Sequence, residues 1–189
     1  GAGSLLKVVY KVEVGGSSAT SPVVGNKGWF GSDAKVEVGQ SFRTFGQDHE
    51  IVVSNAVVDV TGGTLQTYGT FTVRSNALVR LAGGLLNVTA APSGLAADRF
   101  SFTGGTLRWA NTSTIDQNMF HLLPPAGGVL EHRSSSYEAF YVGAAGAASF
   151  DGTIVATNRA TGTPGFHFYK NHYTLSGKGT LLVDQLYIN

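Results

Sequence analysis

Pairs of adjacent glycines recur at a fixed interval in the middle of this chain. They are Gly62-Gly63, Gly83-Gly84 and Gly104-Gly105. Their spacing of about 21 residues falls in the range of about 20 to 50 residues that is typical of solenoids and repeat arrays. Around each pair, apolar and polar residues alternate as they do in β-strands, and Gly-Gly is a turn signal. The pattern predicts a parallel β-helix whose coils have the length of this spacing.

Aligning residues 57–66, 78–87 and 100–109 places apolar residues over apolar residues. Three columns are predicted to face the core: Val58, Val79 and Phe100; Val60, Leu81 and Phe102; Leu65, Leu86 and Leu107. Strands of successive coils lie about 4.8 Å apart, so stacked columns bury a core that no single coil could bury alone. The outward column holds Asp59, Arg80 and Ser101. Asp59 and Arg80 are therefore expected to form an ion pair that contributes from a few tenths to about 1 kcal/mol.

Composition agrees with an all-β chain. Of 189 residues, 13% are charged and 26 are glycine, a combination that suits many short strands joined by tight turns. The length is sufficient for one domain with a sizeable core. The predicted fold is an all-β, single-stranded parallel β-helix, and the alternative is a jelly-roll β-sandwich with antiparallel pairing. A formal net charge of +1 gives no electrostatic reason to expect a nucleic-acid partner.

The ends of the chain and its cysteine content bear on location. Gly1-Ala2-Gly3-Ser4 is interpreted as an expression scar, and residues 5–189 as one β-solenoid domain from a longer protein. The chain has no cysteine, which fits either a cytosolic protein or a bacterial surface protein. It contains no apolar run long enough to span a bilayer, so we expect no membrane insertion by this segment.

A second repeat is suggested near the amino terminus. Lys11-Val12-Glu13-Val14-Gly15 is echoed by Lys35-Val36-Glu37-Val38-Gly39. The spacing of roughly 24 residues is also a plausible repeat period. The alternation over Leu6–Val14 predicts one long first strand.

The sequence contains no recognisable catalytic motif. There is no cysteine nucleophile, no Gly-x-Ser-x-Gly elbow, no His-Glu-x-x-His and no phosphate-binding glycine loop. In the three aligned units no two of the twelve carboxylates share a column, so their spacing gives no support to paired-carboxylate glycosidase chemistry. We expect no catalytic residue, no metal site and no cofactor.

One segment suggests a ligand site. In Phe166–Tyr173, inward Phe166 and Phe168 would place aromatic and hydrogen-bonding side chains outside, where they could stack on a sugar ring and bind its hydroxyls. The candidate ligand-binding residues are His167, Tyr169, Lys170, His172 and Tyr173. Ordinary surface packing is the alternative, and a metal is a further one for which no third ligand is placed.

A second cluster lies just upstream. It consists of Glu131, His132, Arg133, Tyr137, Glu138 and Tyr141. The mixture of acid, imidazole and guanidinium could serve a lyase, and an ordinary strand edge is the alternative.

The Gly-Gly-Thr-Leu units and the segment Tyr173–Val183 resemble the strand repeats of autotransporter passenger domains. They are also similar to pectin-lyase-like surface proteins of Gram-negative bacteria. The resemblance covers roughly residues 50–109 and 173–188. It implies a right-handed parallel β-helix exported to the cell surface as a stalk or adhesive module. The aspartate clusters and catalytic arginine of pectate lyases are not found, so no catalytic residue is carried over.

Three functions remain open: a structural or adhesive surface segment, a carbohydrate-binding module for a polysaccharide or host glycan, and a fragment of a polysaccharide lyase. The expected location is extracellular or on the outer surface of a Gram-negative bacterium. Solenoids need capped ends to remain soluble, so an open coil end could pair with another copy of the chain.

Overall fold

The computed structural model describes most of the chain, with gaps. The described residues are 5–8, 11–14, 27–30, 34–38, 41–44, 50–53, 56–67, 71–74, 77–88, 95–109, 113–115, 117–132, 140–142, 146–156, 166–168, 173–183 and 186–188. Side chains are described for 51, 53, 56–66, 71–74, 77–88, 95–109, 119–132, 148–156, 176–183 and 186.

Short strands make up nearly all of the described part of the chain. In chain order they are β1 (Leu5–Val8), β2 (Lys11–Val14), β3 (Lys27–Phe30), β4 (Ala34–Val38), β5 (Ser41–Thr44), β6 (Glu50–Val53), β7 (Ala56–Val60), β8 (Thr64–Thr67), β9 (Phe71–Val73), β10 (Leu78–Leu81), β11 (Leu85–Val88), β12 (Phe100–Phe102), β13 (Gly105–Trp109), β14 (Ser113–Ile115), β15 (Gly128–His132), β16 (Phe140–Val142), β17 (Gly146–Ser149), β18 (Thr153–Ala156), β19 (Phe166–Phe168), β20 (Tyr173–Ser176), β21 (Thr180–Val183) and β22 (Leu186–Ile188). A short 3₁₀ helix, Gln117–Leu122, lies between β14 and β15.

These strands form five sheets. Sheet I has the order β1-β4-β7-β10-β12, sheet II has the order β2-β5-β8-β11-β13-β15-β18-β21, sheet III has the order β3-β6-β9, sheet IV has the order β14-β16-β19-β22, and sheet V pairs β17 with β20. Neighbours within a sheet are never consecutive in the chain, because the chain visits other sheets before it returns one coil later. The 3₁₀ helix contacts β12, the last strand of sheet I, and β17, the first strand of sheet V.

Every pairing between described strands is parallel. A jelly-roll sandwich is built from antiparallel pairs, so this alternative is wrong. The predicted parallel β-helix is confirmed.

The register of the central coils follows the spacing of the glycine pairs. Val58 pairs with Val79, which pairs with Phe100. Leu65 likewise pairs with Leu86, and Leu86 with Leu107. Of the three predicted core columns, every member is buried except Phe102, which is partly buried against the same core. The apolar ladders inferred from the sequence are therefore the core of the solenoid.

The glycine pairs allow the turns of successive coils to lie directly on one another. Leu85 N donates to Gly63 O at 2.8 Å, and one coil later Thr106 N donates to Gly84 O at 2.8 Å. Gly84 and Gly105 have φ values of 67° and 80°, a conformation that residues with a Cβ rarely adopt. A Cβ on Gly105 would also stand 2.6 Å from the carbonyl carbon of Gly83. The regular spacing thus reflects a stack of turns that accepts only glycine.

The amino-terminal coil is longer than the central ones, and two expectations about it are wrong. Lys11 pairs with Ser41 in sheet II, whereas Lys35 pairs with Leu5 in sheet I. The two Lys-Val-Glu-Val segments therefore lie in different sheets and are not stacked repeats. The predicted single strand over Leu6–Val14 is divided for the same reason, since β1 belongs to sheet I and β2 to sheet II.

Candidate functional site

The outward column of sheet I carries the predicted ion pair. Arg80 Nη2 donates to Asp59 Oδ2 at 2.9 Å, and Arg80 Nε donates to Asp59 Oδ1. The Asp59 side chain is 12% exposed and that of Arg80 is 45% exposed. The planar guanidinium matches both carboxylate oxygens, a geometry that makes such a pair stronger than a single contact. The interaction joins two successive coils.

A second ion pair lies on the outward face of sheet II. Arg108 and Glu131 are register partners on β13 and β15. Arg108 Nε donates to Glu131 Oε2 at 2.8 Å, and Arg108 Nη2 lies 2.7 Å from the same oxygen. Their side chains are 22% and 12% exposed, so both charges are largely covered. Sequence reasoning missed this pair because the coil that separates Arg108 from Glu131 is longer than the glycine-marked ones.

The remaining carboxylates with described side chains also have partners within the solenoid. Asp151 Oδ1 accepts a hydrogen bond from Lys178 N at 2.9 Å, which joins two stacked turns. Asp98 lies 3.6 Å from the Nε of its neighbour Arg99. Glu37 is the register partner of Asp59 on the side opposite Arg80, so two acidic residues do share a column outside the three aligned units. The Asp59 carboxylate is held by Arg80.

Glu131 and His132, which sequence reasoning grouped as a candidate lyase set, face opposite sides of β15. Burial alternates along this strand, with Glu131 partly exposed and His132 only 5% exposed. His132 is the register partner of Trp109, a fully buried core residue. The acid and the imidazole therefore do not converge on one surface. Arg133, Tyr137 and Glu138 lie outside the described residues.

The predicted ligand-binding residues are placed only in part. His167 is the middle residue of β19 in sheet IV, and Tyr173 is the first residue of β20 in sheet V. These two residues thus belong to different sheets. Tyr169, Lys170 and His172 lie outside the described residues.

Sheet IV places other aromatic residues in the column of His167. His167 pairs with Tyr141 of the preceding coil and with Tyr187 of the following coil. Thr114 continues the column beyond Tyr141. We call Tyr141, His167 and Tyr187 the aromatic column. Sequence reasoning named Tyr141 in another cluster and did not single out Tyr187, because the coils here differ in length from the glycine-marked ones.

Within the described residues no group of three or more His, Cys, Asp or Glu side chains is placed to hold a metal ion. The same part of the chain has no helix long and apolar enough to cross a membrane.

Comparison with known protein families, with curated proteins and with solved structures found no match for this chain.

Proposed function

We propose that this chain is a non-catalytic structural or adhesive segment of an exported bacterial surface protein. The observation that carries the proposal is that four described charged side chains form ion pairs between successive coils. Asp59 with Arg80 joins two successive coils on the outer face of sheet I, and Arg108 with Glu131 joins two others on the outer face of sheet II. Catalytic carboxylates and arginines must instead converge on a substrate. Charges paired in this way stabilise the stacking of coils.

The surface location is supported by the resemblance of the Gly-Gly-Thr-Leu units to autotransporter repeats. Protease treatment of intact cells of the source bacterium tests it, with an antibody raised against this chain as the readout. We expect the antibody signal to disappear from intact cells while a cytosolic marker protein is preserved. A signal that survives on intact cells and is lost only after lysis would overturn the exported location.

A carbohydrate-binding module is the second candidate, and the register of sheet IV favours it. Phe140 pairs with Phe166, and Val142 pairs with Phe168, so apolar residues flank the aromatic column on both sides. Alternation along a strand then predicts that the aromatic column faces solvent. Aromatic rings offer flat faces for sugar rings, and hydroxyl and imidazole groups offer hydrogen bonds to sugar hydroxyls.

A glycan-array screen of the whole chain tests this second candidate. Tyr187→Ala and His167→Ala should each remove binding if the aromatic column is the site. Tyr173→Ala is the matched control, because Tyr173 lies in sheet V and pairs with Gly146. Binding that is lost in Tyr173→Ala and kept in Tyr187→Ala would exclude the column and favour the segment 169–173. Absence of binding by the parent chain would remove this candidate.

A further inference from the structure

Sheet II is continuous along the stack, whereas the face formed by sheets I and V is interrupted at one coil. Among the described elements, each strand of sheet II follows a strand of sheet I or sheet V in the chain, except β15, which follows the 3₁₀ helix Gln117–Leu122. This helix contacts β12, where sheet I ends, and β17, where sheet V begins. A helix therefore takes the place of a strand. We call this coil, made of the 3₁₀ helix, β15 and β16, the helical coil.

The helical coil is firmly joined to the coil before it. All five residues of β13 pair in register with the five residues of β15. Across the same step, Arg108 Nε donates to Glu131 Oε2 at 2.8 Å. His121 Nε2, on the 3₁₀ helix, donates to Leu95 O in the segment that leads to β12. Leu122 of the same helix is fully buried in the core.

The step from the helical coil to the coil after it has fewer paired residues. In sheet II only Val129–Glu131 pair with Thr153–Val155. Sheet IV contributes three pairs to this step and three to the preceding one, so it does not offset the difference. At the turn, Asp151 N and Gly152 N donate to Pro124 O at 3.2 and 3.0 Å. Beyond this step, β17 pairs with β20 and β18 pairs with β21 over four residues each.

This unevenness bears on how the solenoid opens. Each coil of a solenoid contacts only its neighbours, so its stability is approximately a sum of terms for the coils and for the interfaces between them. Proteins open locally in cooperative units, and a weak interface is where two such units separate. Opening at this step would part Leu130 from Ile154, which are register partners and are both 1% exposed.

We propose that the solenoid unfolds as two units that separate between β15 and β18. The first unit extends through the helical coil, and the second contains β17, β18, β20 and β21. Each unit opens with its own free energy, so one unit stays folded when the other opens. The proposal concerns the stack itself and holds whether or not the chain is a surface segment.

Hydrogen exchange of the backbone amides of the whole chain tests this proposal, with circular dichroism of each variant as the folding check. Leu107→Ala and Ile154→Ala are a matched pair, because both remove a buried side chain from one column of sheet II. Leu107 lies one coil before the helical coil, and Ile154 lies one coil after it. We expect Ile154→Ala to speed exchange in β18 and β21 about tenfold or more while β11 and β13 keep the rates of the parent chain. Leu107→Ala should have the converse effect.

The milder variant Ile154→Val gives the same comparison if Ile154→Ala does not fold, with an expected increase of about threefold in β18 and β21. Two results would overturn the proposal. If Ile154→Ala speeds exchange in β13 as much as in β18, the solenoid opens as one cooperative unit. If the increase declines evenly from β21 to β11, the coils open one after another from the end, and the helical coil marks no boundary.

Discussion

Arg80 holds both carboxylate oxygens of Asp59 from the next coil of the solenoid. Their backbones are direct register partners on β10 and β7. A one-residue slip of either strand would move Arg80 or Asp59 to the opposite face. This two-point contact therefore depends on the register of the stacked strands, and it also contributes to their stability.

The ion pair should stabilise the solenoid by a modest, salt-sensitive amount. In a double-mutant cycle of Asp59→Asn and Arg80→Gln, we expect a coupling free energy of about 0.5–1 kcal/mol, because the Arg80 side chain is nearly half exposed. Urea unfolding at low and high salt measures this coupling. It should shrink as salt screens the exposed guanidinium. A coupling free energy indistinguishable from zero at low salt would contradict a direct contact between Asp59 and Arg80.

The pair on sheet II should be stronger and less sensitive to salt. Arg108 and Glu131 are both mostly covered, at 22% and 12% exposure. For the cycle Arg108→Gln and Glu131→Gln, we expect a coupling above about 1 kcal/mol, because hydrogen bonds to charged groups contribute more when they are shielded from water. The same urea titrations compare the two cycles. If the coupling of Arg108 with Glu131 is smaller than that of Asp59 with Arg80, the expectation that the more buried pair is stronger is wrong.

Two neighbouring leucines on β11 test the alternation of the strand. Leu86 is fully buried, whereas Leu85 is partly exposed on the outward face. Leu86→Ala should lower the free energy of unfolding by about 2–5 kcal/mol because it leaves a cavity in the core column. Leu85→Ala should cost less than about 1 kcal/mol. Chemical denaturation distinguishes the two, and a reversed order of the losses would mean that the register is shifted by one residue.

Substituting two glycines distinguishes the cost of backbone strain from the cost of steric overlap at the stacked turns. Gly84 and Gly127 have similar φ values of 67° and 77°. A Cβ on Gly127 would meet no atom within 4 Å, whereas a Cβ on Gly84 would stand 2.6 Å from the carbonyl carbon of Gly62. We expect Gly127→Ala to cost about 1–2 kcal/mol from strain alone. Gly84→Ala should cost about 1–3 kcal/mol more, because the turn below it must move.

Thermal and urea unfolding of the two glycine variants provide the measurement. Equal losses of stability in Gly84→Ala and Gly127→Ala would show that the turns are not in direct contact.

The regular coils were predictable from sequence because a local constraint repeats there without variation. Glycine pairs fix the spacing, and the spacing fixes which residues share a column. Asp59 and Arg80 are separated by that same spacing, so their pairing was predictable. The same reasoning failed for Lys11 and Lys35, which look alike but lie in sheets II and I. A short alternating segment suits any face of a β-helix, so similarity of one strand does not establish its register.

The candidate site was less predictable for a related reason. Tyr141, His167 and Tyr187 become neighbours through two coils of unequal length. No glycine pair marks the turns that set those lengths. Similarly, Glu131 and His132 are adjacent in sequence, and alternation along β15 puts them on opposite sides, with His132 buried in register with Trp109. Columns of a solenoid join residues one coil apart, and adjacency along the chain is a poor guide to them.

Incubation of the whole chain with a panel of neutral and acidic polysaccharides, with product release as the readout, tests the proposed function most directly. We predict no depolymerisation, because Asp59 with Arg80 and Arg108 with Glu131 join successive coils instead of converging on a substrate. The variants Asp59→Asn and Arg108→Gln should differ from the parent chain in stability only. Depolymerisation by the parent chain that is abolished in either variant, while that variant remains folded, would contradict the account and identify an enzyme.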